Sequence, residues 1–190
     1  MKIALVSPYD VAYPGGVNSH VSHLGTEFTK LGHDITFIAP SSKPADSVGL
    51  EKFVRLGRGV PIPNAGSIAR ISLSLWLAPK IKSILRKEKF DVVHIHEPLS
   101  PHWLLKMHSS NSLTVGTFHA YRGRSGLHWF GSRILPRALE PFAGKIAVST
   151  SAREFISRYY PGDYKIIPNG IDIEHFSGAV EPMPELCDGK

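Results

Sequence analysis

Three places in the 190-residue chain bring together side chains that could do chemistry. The first is Pro14-Gly15-Gly16, between an apolar run and a periodic one. Paired glycines there let backbone N–H groups approach a phosphate, helped by the dipole of a following helix, although the same pair also suits a plain tight turn. Neither the dinucleotide fingerprint GxGxxG nor the Walker A pattern occurs. The second place is His94-Ile95-His96-Glu97-Pro98. Residues alternating by two project from one face of a strand, so His94 and His96 share a face. A zinc site needs a third ligand, and a structural site a fourth, and the spacing supplies neither. His20 and His23 stand at helical spacing, but no HExxH accompanies them, so no metal is expected. His94 is expected to pack in the sheet, with His96 and Glu97 at the strand's carboxyl end. The third place, Thr117-Phe118-His119, ends another apolar run. A histidine there can bond a ligand hydroxyl or phosphate, or make only a local surface contact. Covalent catalysis has no support, because there is no GxSxG elbow and Cys187 lies in the tail without a neighbouring base.

The elements that must position these groups follow from periodicity. Lys2 to Val6 reads as a buried strand, and Val17, Val21, Leu24, Phe28 and Leu31 recur at the spacing of a helix stripe, stopped by Gly32. Asp34 to Ala39, Asp91 to Ile95, Leu113 to Phe118, Lys145 to Val148 and Tyr164 to Ile167 read as further short strands. A helix is expected over Trp76 to Lys87, and others near Trp103, Ile134 and Phe155, the last opened by Ser151 and Glu154 at capping-box spacing. Alternation of strand and helix predicts an α/β fold, a parallel sheet covered by helices on both faces. Ligands in such folds collect beyond the carboxyl ends of the strands. Residues 1–170 form this domain, and 171–190, rich in Pro, Gly and acids, read as a linker.

Composition narrows the class. Hydrophobic residues make up 42% and charged residues 20% of the chain, which excludes disordered and collagen-like sequences. No apolar run reaches the roughly 18 to 20 residues of a membrane-spanning helix. Met1 to Ser7 is too short, and too soon broken by Pro8, to read as a signal peptide, and a single cysteine allows no intrachain disulfide, so a cytoplasmic address is expected. The formal charge of +6 is uneven: residues 52–90 carry nine basic side chains against Glu88 alone, and residues 98–139 contain no acid at all. Such concentration predicts an anionic partner or a solvated basic face. Nucleic acid is disfavoured because the basic segments lack interleaved aromatic platforms. Five basic residues fall in the window from Lys80 to Lys89, on a helix whose apolar side would be Trp76, Leu77, Ile81, Ile84 and Leu85. That is the character of a helix lying on an anionic membrane surface, with Lys80, Lys82, Arg86 and Lys87 as the contacts, and also of a surface helix packed on a sheet.

Taken together, the segments SPYDVAYPGGVNSHV, VPIPNAGSIAR at 60–70, DVVHIHEP at 91–98, GTFHA at 116–120 and IIPNGID at 166–172 resemble the N-terminal half of the retaining GT-B glycosyltransferases, most closely the bacterial phosphatidylinositol mannosyltransferases. The resemblance covers nearly the whole chain. It implies a Rossmann-like acceptor domain, one half of a GT-B architecture, with the linker leading to a C-terminal donor domain absent from the chain. The implied reaction moves a hexose, mannose from GDP-mannose, onto a membrane lipid headgroup, on the inner face of the cell membrane. The nucleotide sugar is a substrate, and neither a cofactor nor a metal is implied.

By residue, the resemblance assigns Gly15 and Gly16 to the donor diphosphate and His119 to the transferred sugar and phosphate. It places Tyr9, Asn18, Asn64 and Arg70 at the acceptor, with Arg70 on the lipid phosphate. Asn18, the pair Asn64-Ala65 and Leu99 depart from the mannosyltransferase pattern at positions expected to face the acceptor. This leaves phosphatidylinositol and other anionic or glycerol-based lipids open. A soluble sugar-phosphate acceptor, or a non-catalytic lipid-binding module, are the alternatives.

Overall fold

Apolar residues alternate within the first strand between two separate cores, and this alternation organises the molecule. The computed structural model describes residues 1–44, 50, 52–64, 67–72, 77–99, 111–120, 126–134, 139–171, 173 and 177. In β1 (Lys2–Val6), Ile3 and Leu5 pack with Val21 and Ile35, while Ala4 and Val6 belong to a larger cluster with Ile38, Leu85, Ile95 and Phe118. A strand that buries both faces must carry layers on both sides, which parallel sheets require.

The first layer is α1 (Gly16–Lys30), whose stripe of Val17, Val21, Leu24 and Phe28 covers the smaller core. Leu31, expected in that stripe, is instead 70% exposed, because the helix has ended and Gly32 takes φ +82 to turn the chain. The chain then enters β2 (Asp34–Ala39) and β3 (Phe53–Arg55). A separate antiparallel hairpin follows, β4 (Val60–Asn64) and β5 (Ser67–Ile71), pairing Pro61 with Arg70 and Pro63 with Ile68. Next come α2 (Ala78–Glu88), β6 (Val92–His96), β7 (Leu113–Phe118), α3 (Gly126–Ile134), β8 (Gly144–Ala147), α4 (Thr150–Ser157) and β9 (Lys165–Ile166).

The main sheet has seven strands, all parallel, in the order β3-β2-β1-β6-β7-β8-β9. The order reverses direction between β1 and β6, the topological switch point of a Rossmann-like sheet. Register there is Ile3 with Val92 through Val6 with Ile95.

Strand expectations held to within a residue or two. Asp91 lies outside β6 because its carboxylate accepts the Lys2 backbone N–H at 2.7 Å, and His96 takes the last strand position opposite Thr117. The α4 cap is Ser149 rather than Ser151: Ser149 is extended and its side chain accepts from the Ala152 N–H at 3.1 Å. Neither β3 nor the β4–β5 hairpin was expected as strand. Trp76, the region around Trp103 and Cys187 lie outside the described residues, as does the linker apart from 171, 173 and 177. Among the described residues no helix is long and apolar enough to cross a membrane.

Packing at the strand ends is tight where β7 passes under the loop before β8. A Cβ on Gly116 would meet the buried Phe142 ring at 2.7 Å and the Pro98 ring at 3.2 Å. Gly116→Val should therefore destabilise the chain by about 1–3 kcal/mol, since overpacking a filled core forces strained rotamers. An unchanged denaturation midpoint would show that this contact can relax.

Candidate functional site

Beyond the carboxyl ends of β1 and β6 the structure gathers the loop from β1 to α1, the tip of β5 and the histidines. The loop is organised by Asp10, which is 1% exposed. Its carboxylate accepts from the N–H groups of Ala12 at 3.0 Å, Ser42 at 3.0 Å and Gly59 at 3.2 Å, and from the Ser42 hydroxyl. Its own N–H donates to the Arg70 carbonyl at 2.8 Å. A Cβ on Gly59 would stand 2.7 Å from the Asp10 Cβ, so glycine there is what allows the approach. Burial pushes the Asp10 carboxyl up, but the four hydrogen bonds outweigh it and leave its pKa below the ordinary value. Nothing in the spacing of the sequence pointed to Asp10.

This pinning shapes a cleft of about 340 Å³ lined by Tyr9, Tyr13, Gly15, Gly16, Asn18 and Arg70, among others. Five of the expected ligand residues thus meet in one place. Gly15 caps α1 with extended backbone and no side-chain hydrogen bond, and the first turn holds no acid. A Cβ on Gly15 or Gly16 would meet nothing within 4 Å, so the fold does not require glycine at either position. Their lack of side chains leaves room over the helix N-terminus, where the first N–H groups have no intrahelical acceptor. The Arg70 guanidinium lies over the Tyr13 ring at 3.8 Å, which fixes its plane while its N–H donors remain in that plane for an anion. Asn18 lines the cleft, yet its amide braces the loop, donating to the Asp10 and Tyr13 carbonyls at 3.0 and 3.2 Å and accepting from the Ser7 hydroxyl at 3.3 Å. Asn64 ends β4 opposite Ser67. Leu99, expected to face the acceptor, packs instead against the larger core.

His119 is not part of that lining. It stands half-buried just past β7, with its Nε2 3.0 Å from Nδ1 of the fully buried His96. His94 stacks on His96 at 4.5 Å, so the two do share a face, and its Nε2 meets the Thr117 hydroxyl at 2.7 Å. His20, one turn after Gly16, sets its ring 5.6 Å from that of His96 and 5.4 Å from that of His119. Sequence reading gave His20 no partner, because a helix and two strands meet here only in the fold. Desolvation, with smaller contributions from neighbouring imidazoles, pushes His94 and His119 down to about 4 and His96 well below its ordinary value. All three are neutral at physiological pH. Glu97, at φ +50, turns its carboxylate onto the N–H groups of His119 at 2.7 Å and Ala120 at 2.6 Å and so clamps that loop.

Comparison with known proteins shows the family and the fold. The profile of Glycosyltransferase Family 4 matches residues 14–175. The chain belongs to that family. Similar proteins include a phosphatidyl-myo-inositol mannosyltransferase of Propionibacterium freudenreichii, 36% identical over 93% of this chain and 48% of that protein. The Mycobacterium tuberculosis protein of the same name is 36% identical over 94% of the chain and 47% of its own length. This family 4 chain therefore spans about half the length of the curated relatives it matches. Among solved structures, a glycosyltransferase from Rickettsia africae superposes with a TM-score of 0.61 at 22% identity, covering 97% of this chain and 46% of that one. The shared fold is the Rossmann-like α/β half found in GT-B glycosyltransferases.

The basic helix of this family 4 domain is α2, running one residue past the expected end. Ile81 and Leu85 are buried in the larger core, with Leu77 and Ile84 packed against it. Its apolar side is therefore spent on the sheet, and what it offers a surface is charge alone. Lys80, Arg86 and Lys87 are exposed and Lys82 half-buried, and Lys80 donates to the Arg55 carbonyl at 2.7 Å.

The Asp10 arrangement makes a two-part prediction. In Asp10→Asn an amide NH₂ must face N–H donors, and stability should fall by about 1–3 kcal/mol. Because the folded pKa of Asp10 lies below its unfolded value, its contribution is complete above about pH 4 and is lost as pH falls through the folded value. Chemical unfolding measured from neutral to acid pH should show a shallower acid limb in the variant; parallel limbs would contradict the assignment.

Proposed function

We propose that this chain is the acceptor-side half of a retaining glycosyltransferase that moves a hexose, mannose from GDP-mannose, onto a membrane lipid headgroup such as phosphatidylinositol. The observation that carries the reading is the cleft in which Gly15 and Gly16 leave open space over a helix N-terminus, opposite the stacked Arg70. It offers two kinds of anion recognition side by side. Backbone N–H groups suit a diphosphate, and a planar guanidinium suits a phosphodiester. The 36% identity to phosphatidyl-myo-inositol mannosyltransferases supports the choice of sugar and lipid.

In this reading the bond from the anomeric carbon to the diphosphate oxygen breaks as one to an acceptor hydroxyl oxygen forms, and the hydroxyl proton passes to the departing diphosphate. Catalysis is positioning plus stabilisation of that departing charge. His119, neutral and clamped by Glu97, donates or accepts a hydrogen bond at the reacting centre without adding charge. Most donor contacts would come from a second domain. The 190-residue chain alone should therefore show no sugar transfer and bind GDP-mannose weakly in a calorimetric titration. In a full-length enzyme containing it, His119→Ala should lower kcat by about 100-fold or more with little change in acceptor KM. Normal turnover in that variant would remove His119 from the reaction.

The membrane is approached by charge. The exposed basic side of α2 should bring the chain down with anionic but not neutral liposomes, and salt should release it as screening shortens the range of attraction. Changing Lys80, Lys82, Arg86 and Lys87 to Ser should weaken that binding by at least about tenfold, since each contributes about 1 kcal/mol near an anionic surface. Equal sedimentation of the quadruple variant would place the contact elsewhere.

A further inference from the structure

The three histidines at the switch point come from three different elements, and they converge more closely than hydrogen bonding explains. His20 lies in α1, His96 ends β6 and His119 follows β7. Each offers one ring nitrogen, and these nitrogens all lie within 4.8 Å of one another. The closest pair, His96 Nδ1 and His119 Nε2, stands at 3.0 Å with a single proton to share. Two imidazoles bound tetrahedrally to zinc at about 2.0–2.1 Å hold their nitrogens about 3.4 Å apart. That pair is already close to this bite, and His20 and His119 are only half-buried, so small rotations can close the triangle.

We propose that His20, His96 and His119 form a binding site for one borderline divalent cation, of which zinc is the type, with three nitrogen ligands and a fourth position open. The donor set selects the ion. Imidazole nitrogen suits zinc, copper and nickel, whereas magnesium and calcium prefer oxygen, which this triad does not provide. The cation stands where the shared proton was: both facing nitrogens give it a lone pair, and that proton moves to the outer nitrogen of its own ring. His96 is the fixed ligand, fully buried within a strand and stacked on His94. Among the described residues the outer nitrogen of His96, Nε2, has no hydrogen-bond partner, so moving the proton there breaks no existing bond. Glu97 holds the backbone of His119 by its N–H. A bound ion occupies the ring nitrogen of His119, so it opposes sugar transfer; that consequence rests on the function proposed above, whereas the binding does not.

The test uses the 190-residue chain with Cys187→Ser, which removes its only thiol. Calorimetric titration with zinc should give one ion per chain, cobalt should develop the visible absorption of a four-coordinate site, and magnesium should not compete. His20→Gln and His119→Gln should each weaken zinc binding by about tenfold or more, as loss of one ligand of three does, while the exposed His23→Gln leaves it unchanged. Thermal melts followed by circular dichroism establish that these variants fold, and they avoid replacing the buried His96. Undiminished binding in the His20→Gln/His119→Gln double variant, or no binding to the parent at about 100 µM zinc, overturns the site. Inhibition of a full-length enzyme at the zinc concentration that fills the site supports both readings. Filling without inhibition leaves the metal site standing and overturns the role of His119 in transfer.

Discussion

A single buried carboxylate sets the shape of the cleft. Asp10 must satisfy donors from its own loop, from the segment after β2 and from the turn before β4, while its N–H holds the carbonyl of Arg70. Burying a charge this deeply is costly unless every lone pair finds a donor. The loops are therefore held to the positions that satisfy it. Because the Asp10 loop carries Tyr9 and Tyr13, and its N–H holds Arg70 at the end of β5, the anion-facing side of the cleft inherits its geometry from Asp10. The hairpin is not part of the main sheet, and besides these bonds it is joined to the loop after β1 through the bridge of Tyr9 with Ile71.

The place of the histidine cluster follows from the order of the strands. β1 and β6 diverge to their next neighbours here, and in folds of this order ligands collect beyond the carboxyl ends at such a switch point. Into it project neutral imidazoles rather than charged groups, held so by desolvation. An environment of that kind favours groups that hydrogen-bond or coordinate through a lone pair. Net positive charge lies elsewhere, on the stacked Arg70 and on α2. Helix α2 itself shows how one amphipathic pattern divides: its apolar residues complete the core, and its lysines and arginines remain for an external surface.

Much of the fold was legible because its signals are local. The strand runs, the α1 stripe and the turn at Gly32 each depend on residues within a few positions of one another. The β4–β5 hairpin escaped because Pro61 and Pro63 cannot donate to a ladder and argue against a strand; they are tolerated in a two-stranded hairpin, where one edge of each strand stays unpaired. The cap of α4 was misplaced because Ser149, Thr150 and Ser151 all have capping side chains, and only backbone conformation selects Ser149.

For the site the division is sharper. By itself the sequence determined the glycine pair ahead of a helix, the alternation that puts His94 and His96 on one face, and the placing of His119 at a strand end. Those are properties of one strand or one turn, fixed by the periods of the backbone. Only the tertiary structure decided that His20 meets His96 and His119, that Asp10 ties together three loops, that Asn18 braces a loop and that Leu99 turns into the core. These outcomes join residues up to about a hundred positions apart. They depend on the order in which strands pair, which no local spacing encodes.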